Sequence, residues 1–166
     1  MKRPALLLGL LLIGSNASAR EDVEPTAIVE IGGAVQTGLT DGGTGFGPNL
    51  AVETTPIENW LEVEAGITPS FSPHQTEWSA DFLFKKPYTL SDTLEFMAGV
   101  GPEWDHGVSA GRTTDALSAE AALDFMYWPW PERHLGLYLE PAYDYSFGKG
   151  HEQSLGVSAG LLIPIP

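Results

Sequence analysis

The residues in this sequence most able to do chemistry are acidic side chains at alternating positions. In several segments Asp or Glu recurs on the same parity as Gly, Ala and Ser, while the other parity is apolar. Twelve carboxylates share the polar parity: Glu30, Glu53, Glu62, Glu64, Glu77, Asp81, Glu95, Glu103, Glu120, Asp124, Glu140 and Asp144. Lys85 is the only basic residue that these segments place on it. Carboxylates gathered on one face with so little positive charge suit the binding of cations or protons.

The alternation that positions these acids is clearest between Leu117 and Tyr145. Residues 117–127 alternate apolar and polar side chains with a period of two, and residues 135–145 repeat the pattern. A turn of Trp and Pro residues, 128–131, separates the two runs. This segment therefore predicts a β-hairpin.

The rest of the sequence repeats the same unit and predicts eight strands in all. The strands are expected near residues 26–38, 46–55, 60–69, 76–86, 93–104, 117–127, 135–145 and 155–163. Connections at 56–59, 87–92 and 128–133 carry prolines and charges, whereas those at 39–45, 69–75, 105–116 and 147–151 carry most of the Gly, Ser, Thr and His. In an up-and-down barrel with an even number of strands, the two sets lie at opposite rims. The predicted fold is all-β, an eight-stranded antiparallel up-and-down transmembrane β-barrel.

Alternation alone does not show which face of the barrel points outward. The alternative is a soluble periplasmic barrel, similar to a lipocalin, that carries an apolar ligand inside. The polar face contains few Lys or Arg, unlike a solvated β-surface, and the strands are long enough to span a bilayer. Aromatic residues fall near both rims, as in membrane barrels, namely Trp60, Tyr88, Trp128 and Trp130 at one and Trp78 and Trp104 at the other. These features favour the membrane barrel.

The first residues predict export from the cytoplasm. Lys2 and Arg3 precede an apolar run at 5–13, and Ala17-Ser18-Ala19 suits a signal peptidase. We predict a signal peptide at 1–19 and a single β-barrel domain at 20–166. All 22 acidic residues but only six of the eight basic ones lie in that domain, so its formal charge is −16. Such a charge argues against binding of nucleic acid or anionic lipid through the net field, and the absence of cysteine excludes disulfides.

Taken together, the signal peptide, eight alternating runs, unequal connections and aromatic rims resemble one known class. It comprises the small eight-stranded outer-membrane β-barrel proteins of Gram-negative bacteria, with porin-like, OmpW-like and OmpX-like members. The resemblance covers residues 26–166 and rests on pattern. It implies a location in the outer membrane, with outer-membrane lipid as a partner. Members commonly end on an aromatic residue that the assembly machinery reads, whereas this sequence ends Pro164-Ile165-Pro166, so the resemblance does not extend to the assembly route.

In such a barrel the polar parity lines the lumen. All of the twelve carboxylates except Glu77, Glu103 and Asp144 are assigned to an acidic cluster around Lys85. An eight-stranded barrel is barely wide enough for its own side chains, so these acids cannot all stay ionised unless water or cations enter. The sequence predicts a lumen that binds or passes cations. The alternative is a filled interior of protonated acids, Tyr138 and water.

Histidines offer a second, weaker candidate site. His74, His106 and His151 are expected in different loops at one rim, with Asp105 and Glu152 near them. Imidazole and carboxylate together form a donor set for divalent metals, although solvated loop residues are the alternative because the spacing matches no motif. A divalent cation is the only cofactor that the sequence suggests.

No arrangement in the sequence predicts catalysis. His151 and Ser154 are three residues apart, so within a ladder they face opposite sides. His106 and Ser109 are expected in a loop. A nucleophilic serine needs its base within hydrogen-bond reach, so the sequence predicts a protein that is not an enzyme.

Overall fold

The computed structural model describes residues 25–40, 42–73, 75–130 and 132–166, which form a closed antiparallel barrel of eight strands. The strands are β1 (Ala27–Gly38), β2 (Thr44–Ile57), β3 (Leu61–Phe71), β4 (Gln75–Ser91), β5 (Leu94–Ser109), β6 (Arg112–Tyr127), β7 (Gly136–Ser146) and β8 (Gln153–Ile165). Each strand pairs with the next, and β1 pairs with β8 to close the barrel. The predicted fold class is confirmed.

The predicted signal peptide, residues 1–19, lies outside the described residues and stays a prediction. In the ranges described above, no helix is long and apolar enough to cross a membrane.

Side chains point alternately outward and inward along each strand, because successive residues of a strand face opposite sides of the sheet. On β6, for example, Leu123 is 45% exposed whereas its neighbour Asp124 is completely buried. The outer surface carries large apolar residues on every strand, from Ile31 on β1 to Leu161 on β8. The barrel is thus apolar outside and acidic inside, as the membrane-barrel prediction requires.

The connection between β5 and β6 differs from the prediction. The sequence predicts its longest loop at residues 105–116, but β5 continues to Ser109 and β6 starts at Arg112. Ala110 and Gly111 alone form the turn, with φ of 49° and 76°. Two successive positive φ values suit a two-residue hairpin, whose twist matches that of the strands. Similarly, β4 extends to Ser91 through most of the turn expected at 87–92.

Trp128 also differs from its predicted place in an aromatic belt. It is 1% exposed and packs with Met97, Met126, Tyr138 and Leu162. The reason is parity, because Met126 and Trp128 both point inward while Tyr127 between them is exposed. This apolar cluster fills the barrel near the end of β6. We call that end the turn rim, and the opposite end, where β5 meets β6, the loop rim.

Candidate functional site

Lys85 lies at the centre of the barrel interior with carboxylates on four other strands around it. Its Nζ is 2.5 Å from Glu64 Oε2, 2.5 Å from Glu140 Oε2, 3.2 Å from Asp124 Oδ2 and 3.7 Å from Glu53 Oε2. None of these side chains is more than 8% exposed. Four carboxylates therefore share one ammonium group, and we call these five residues the lysine layer.

Other members of the predicted cluster surround this layer. Glu30 is 1% exposed, and its carboxylate comes within 4.8 Å of those of Glu53, Glu64 and Asp124. Glu62 lies opposite Lys85 in the β3–β4 register and is half-buried. Most of the acids expected around Lys85 are thus brought together.

Glu95, another member of the predicted cluster, lies apart from the lysine layer. It accepts a hydrogen bond from Trp128 Nε1 at 3.2 Å and forms a salt bridge with Arg133 at 2.8 Å. Arg133 also lies over the Trp128 ring, 5.6 Å from its centroid. Glu95 therefore helps to hold the turn rim closed and is already paired with a cation.

Small residues make room for the lysine layer. A Cβ atom on Gly99, the cross-strand neighbour of Lys85, would lie 2.7 Å from Lys85 Cγ. A Cβ on Gly32 would lie 2.5 Å from the hydroxyl of Tyr138, which spans the lumen and donates to Asn49 Oδ1 at 2.7 Å. The glycines on the polar parity thus provide the space that long interior side chains occupy.

A second group of acids lies nearer the loop rim. Glu103 on β5, Glu120 on β6 and Asp144 on β7 each offer a carboxylate oxygen, and these oxygens lie within 4.8 Å of one another. We call these three residues the acid triad. Glu120 and Asp144 are direct partners in the β6–β7 register.

The cluster predicted around Lys85 includes Glu120 but neither Glu103 nor Asp144. The shared parity of all three is visible in the sequence, but their depth in the barrel is not. Depth depends on strand register, which alternation does not specify beyond its parity. The signal that could have found the triad is the β6–β7 pairing, which sets Glu120 opposite Asp144.

Both groups of acids contribute to the lining of a cavity of about 60 Å³. Its lining includes Glu64 and Glu140 of the lysine layer and all of the acid triad, together with Asp81 and the polar side chains of Asn49, Thr68, Ser70, Ser79 and Ser158. A vestibule of about 1040 Å³ at the loop rim shares Gln36, Ser70, Glu103 and Asp144 with that cavity. The acid triad is therefore placed between an internal cavity and the open end of the barrel.

The structure does not gather the predicted histidine site. His106 lies on β5, not in a loop, and its Nδ1 is 2.9 Å from Asp115 while its ring stacks on the exposed Trp104. Asp105, the preceding residue on the strand, points the other way and accepts hydrogen bonds from the interior Ser79 and Ser118.

The remaining predicted donors that the structure describes do not join His106 in a group of three or more. His151 stacks on Tyr145, and Glu152 is exposed at the vestibule. His74 lies outside the described residues. Among the described residues, the groups of three or more donors contain carboxylates only. The extended β5–β6 hairpin separates Asp105 from His106, because both lie on β5 and adjacent strand residues face opposite sides.

The fold places the chain among proteins of known structure. It has the architecture of the small eight-stranded outer-membrane β-barrels, which confirms the resemblance expected from the sequence. The similar structures include Neisserial surface protein A, with a TM-score of 0.71, 14% identity, and coverage of 84% of this chain and 97% of that one.

Two further structures support the same comparison. Ail, the attachment invasion locus protein of Yersinia pestis, has a TM-score of 0.58 at 14% identity, covering 84% of this chain and 97% of its own. The N-terminal β-barrel domain of Pseudomonas aeruginosa OprF has a TM-score of 0.53 at 13% identity, covering 82% and 97%. No protein-family model matches the chain, and no curated protein sequence matches it. At these identities the likeness establishes the fold.

Proposed function

We propose that this chain is a non-enzymatic protein of the outer membrane of a Gram-negative bacterium, exported by its signal peptide, whose acidic interior binds cations. The observation that carries the proposal is a charge imbalance. Of the described residues, eight carboxylates are buried, and Lys85 is the one basic side chain buried with them. Burying a charge without a partner is costly, so each acid in such an interior either keeps its proton or is neutralised by a cation that enters, and the proposal is that cations enter.

The outer surface supports the membrane location. Leu50, Phe82, Leu123 and Leu139 are among the apolar side chains that are more than 40% exposed around the barrel. A soluble protein rarely exposes a continuous apolar surface of this kind, whereas a membrane barrel needs one. The similar structures, which are outer-membrane barrels, agree with this location.

The contents of the lumen favour binding of cations over their passage. The lysine layer fills the middle of the barrel, and the apolar cluster of Met97, Met126, Trp128, Tyr138 and Leu162 fills the turn rim. Ions that enter from the loop rim therefore meet a closed end. Eight-stranded barrels are commonly filled in this way.

The alternative function, a soluble carrier of an apolar ligand, finds little support in the interior. The cavity of about 60 Å³ is lined largely by carboxylates and other polar groups, and the vestibule of about 1040 Å³ is lined by polar and charged residues with only Gly and Ala among them. A drug-sized apolar ligand needs a mainly apolar pocket of about 300 Å³ or more. The apolar surface of this barrel faces outward instead.

Two measurements test the proposal. Cell fractionation should recover the mature protein in the outer membrane, soluble only in detergent, and recovery as a soluble periplasmic monomer would overturn the location. Equilibrium dialysis of the detergent-folded barrel against radioactive sodium and calcium should show retained cation. A barrel that retains neither ion would overturn cation binding.

A further inference from the structure

The acid triad differs from the lysine layer in having no internal counter-ion. The salt bridges of the interior all end on Lys85, and within the described residues none reaches Glu103, Glu120 or Asp144. The acids near the triad add no positive charge, since Glu64, Asp81 and Glu140 line the same cavity. The triad thus brings three acidic groups together with no basic side chain from the described part of the chain beside them.

Two buried oxygen atoms of the triad have no hydrogen-bond partner among the described residues. Glu120 is only 8% exposed and lines the cavity, and its Oε2 has no hydrogen-bond partner among the described residues. Asp144 is 6% exposed, and its Oδ1 is equally unpartnered. Buried polar atoms normally have partners, so each exception needs an explanation such as a bound ion.

Neighbouring side chains hold Asp144 in the orientation that leaves this oxygen free. Ser154 donates a hydrogen bond to Asp144 Oδ2 at 2.8 Å, and Gln36 Nε2 donates to the same oxygen at 3.3 Å. Gln36 also donates to Ser154, which ties the two donors together. Support of this kind is what orients the carboxylate ligands of metal sites.

The adjoining cavity has room and further oxygen donors for an ion and its water. A volume of about 60 Å³ exceeds the 10–15 Å³ or so that one water molecule requires. Amide and hydroxyl groups of Asn49, Thr68, Ser70 and Ser158 lie in its wall. The shared lining with the vestibule provides a path from the loop rim.

We propose that the acid triad is a divalent-cation site of the Ca²⁺ class, with carboxylate oxygens of Glu103, Glu120 and Asp144 as its protein ligands. The inference rests on the proposed cation-binding interior and locates the divalent ion in it. Three carboxylates with surrounding hydroxyl, amide and water oxygens form an all-oxygen donor set, which suits a hard cation and not a thiolate- or imidazole-seeking metal. Ca²⁺ accepts irregular coordination, whereas Mg²⁺ demands near-octahedral geometry and keeps more of its water.

Isothermal titration of the detergent-folded barrel with CaCl2 and MgCl2, in a buffer containing potassium, tests the site. Wild type should bind one Ca²⁺ per barrel, and more tightly than Mg²⁺. Glu120→Gln and, separately, Asp144→Asn should each weaken Ca²⁺ by about tenfold or more, because each removes a charged ligand. The amide introduced by Asp144→Asn would keep an acceptor oxygen for Ser154 and Gln36, so this second variant serves if the first does not fold. Folding of each variant is checked by its heat-modifiable electrophoretic mobility, in which a folded barrel migrates differently before and after heating.

Glu152→Gln is the matched control, because Glu152 is an exposed vestibule carboxylate outside the triad. It should change the affinity less than about twofold, since it alters only the local field. Ca²⁺ binding that survives in both triad variants but is lost in Glu64→Gln would overturn the triad assignment and leave the cation-binding interior standing. A wild-type barrel that takes up neither calcium in the titration nor sodium in dialysis would overturn both.

Discussion

Lys85 Nζ lies 3.2 Å from Asp124 Oδ2, and neither side chain has any exposed surface. The two residues are 39 positions apart and belong to β4 and β6, which are not neighbours in the barrel. Their contact therefore crosses the lumen instead of following a strand pair. Together with Glu53, Glu64 and Glu140, they link five strands through the interior.

Removing the lysine tests the energetic role of this layer. Lys85→Met should lower the free energy of unfolding by about 3–5 kcal/mol, because four buried carboxylates lose the cation that they share. Urea unfolding in detergent or lipid vesicles measures the change. Lys86→Met is the matched control on the same strand, where Lys86 is partly exposed, donates to the Asn59 carbonyl and lies over the Tyr88 ring. Lys86→Met should lower the free energy of unfolding by about 1 kcal/mol. Equal effects would show that the lysine layer contributes no special stability.

The interior side of Asp124 could be predicted from the sequence, but its contact with Lys85 could not. Asp124 follows Leu123 directly, so it has the opposite parity and is assigned to the polar face. In the structure Asp124 lies on that face, in the barrel interior. A contact across the lumen depends on the stagger of all strands around the barrel. Alternation within one strand holds no information on that stagger.

Two features of the loop rim could not be predicted from the sequence, for different reasons. Parity assigns Glu103 and Asp144 to the correct face but to no particular depth, so it does not reveal the triad. Composition predicts a loop at residues 105–116 because Gly, Ser and Thr are common there. The strand pairing of His106 with Asp115 and of Val108 with Thr113 shows that tertiary pairing outweighs this composition.

The outward direction of apolar side chains gives a second prediction. Leu123→Arg, on the outward face of β6, should cost about 2–4 kcal/mol and impair insertion, because the substitution puts a charge in the lipid interior. Phe82→Arg on β4 should behave alike. Val108→Arg is the control, since Val108 also faces outward but pairs one position away from the end of the β5–β6 hairpin. Near this end of the barrel, Val108→Arg should lower the free energy of unfolding by only about 0–1 kcal/mol.

Folding into vesicles followed by urea titration measures these differences. The outcome depends on both the inside–outside assignment and the depth of each residue. Equal tolerance of arginine at Leu123 and Val108 would mean that the apolar exterior does not lie in lipid.

The small residue beside Lys85 gives a third prediction. Gly99→Ala should lower the free energy of unfolding by about 1–3 kcal/mol, because its Cβ would lie 2.7 Å from Lys85 Cγ and the layer would have to shift. Gly33→Ala is the matched control on the outward face. Its Cβ would meet only Gly47 O at 3.6 Å, an ordinary contact. Unfolding experiments should find this variant within about 0.5 kcal/mol of wild type, and a harmless Gly99→Ala would show that the packing around Lys85 is loose.

The last prediction concerns conduction of ions through the barrel. Two layers of side chains block the lumen, one behind the other. The Trp128 cluster lies at the turn rim, and the lysine layer lies between that rim and the cavity. The wild-type barrel, inserted into a planar lipid bilayer in KCl, should therefore show no steady current. Trp128→Ala should remain closed as well, since it removes only the first closure and leaves the salt bridges of Lys85 in place. A large porin in the same apparatus shows that single openings are detectable. Steady cation-selective steps from the wild-type barrel would contradict a closed lumen and would favour passage of cations over their binding.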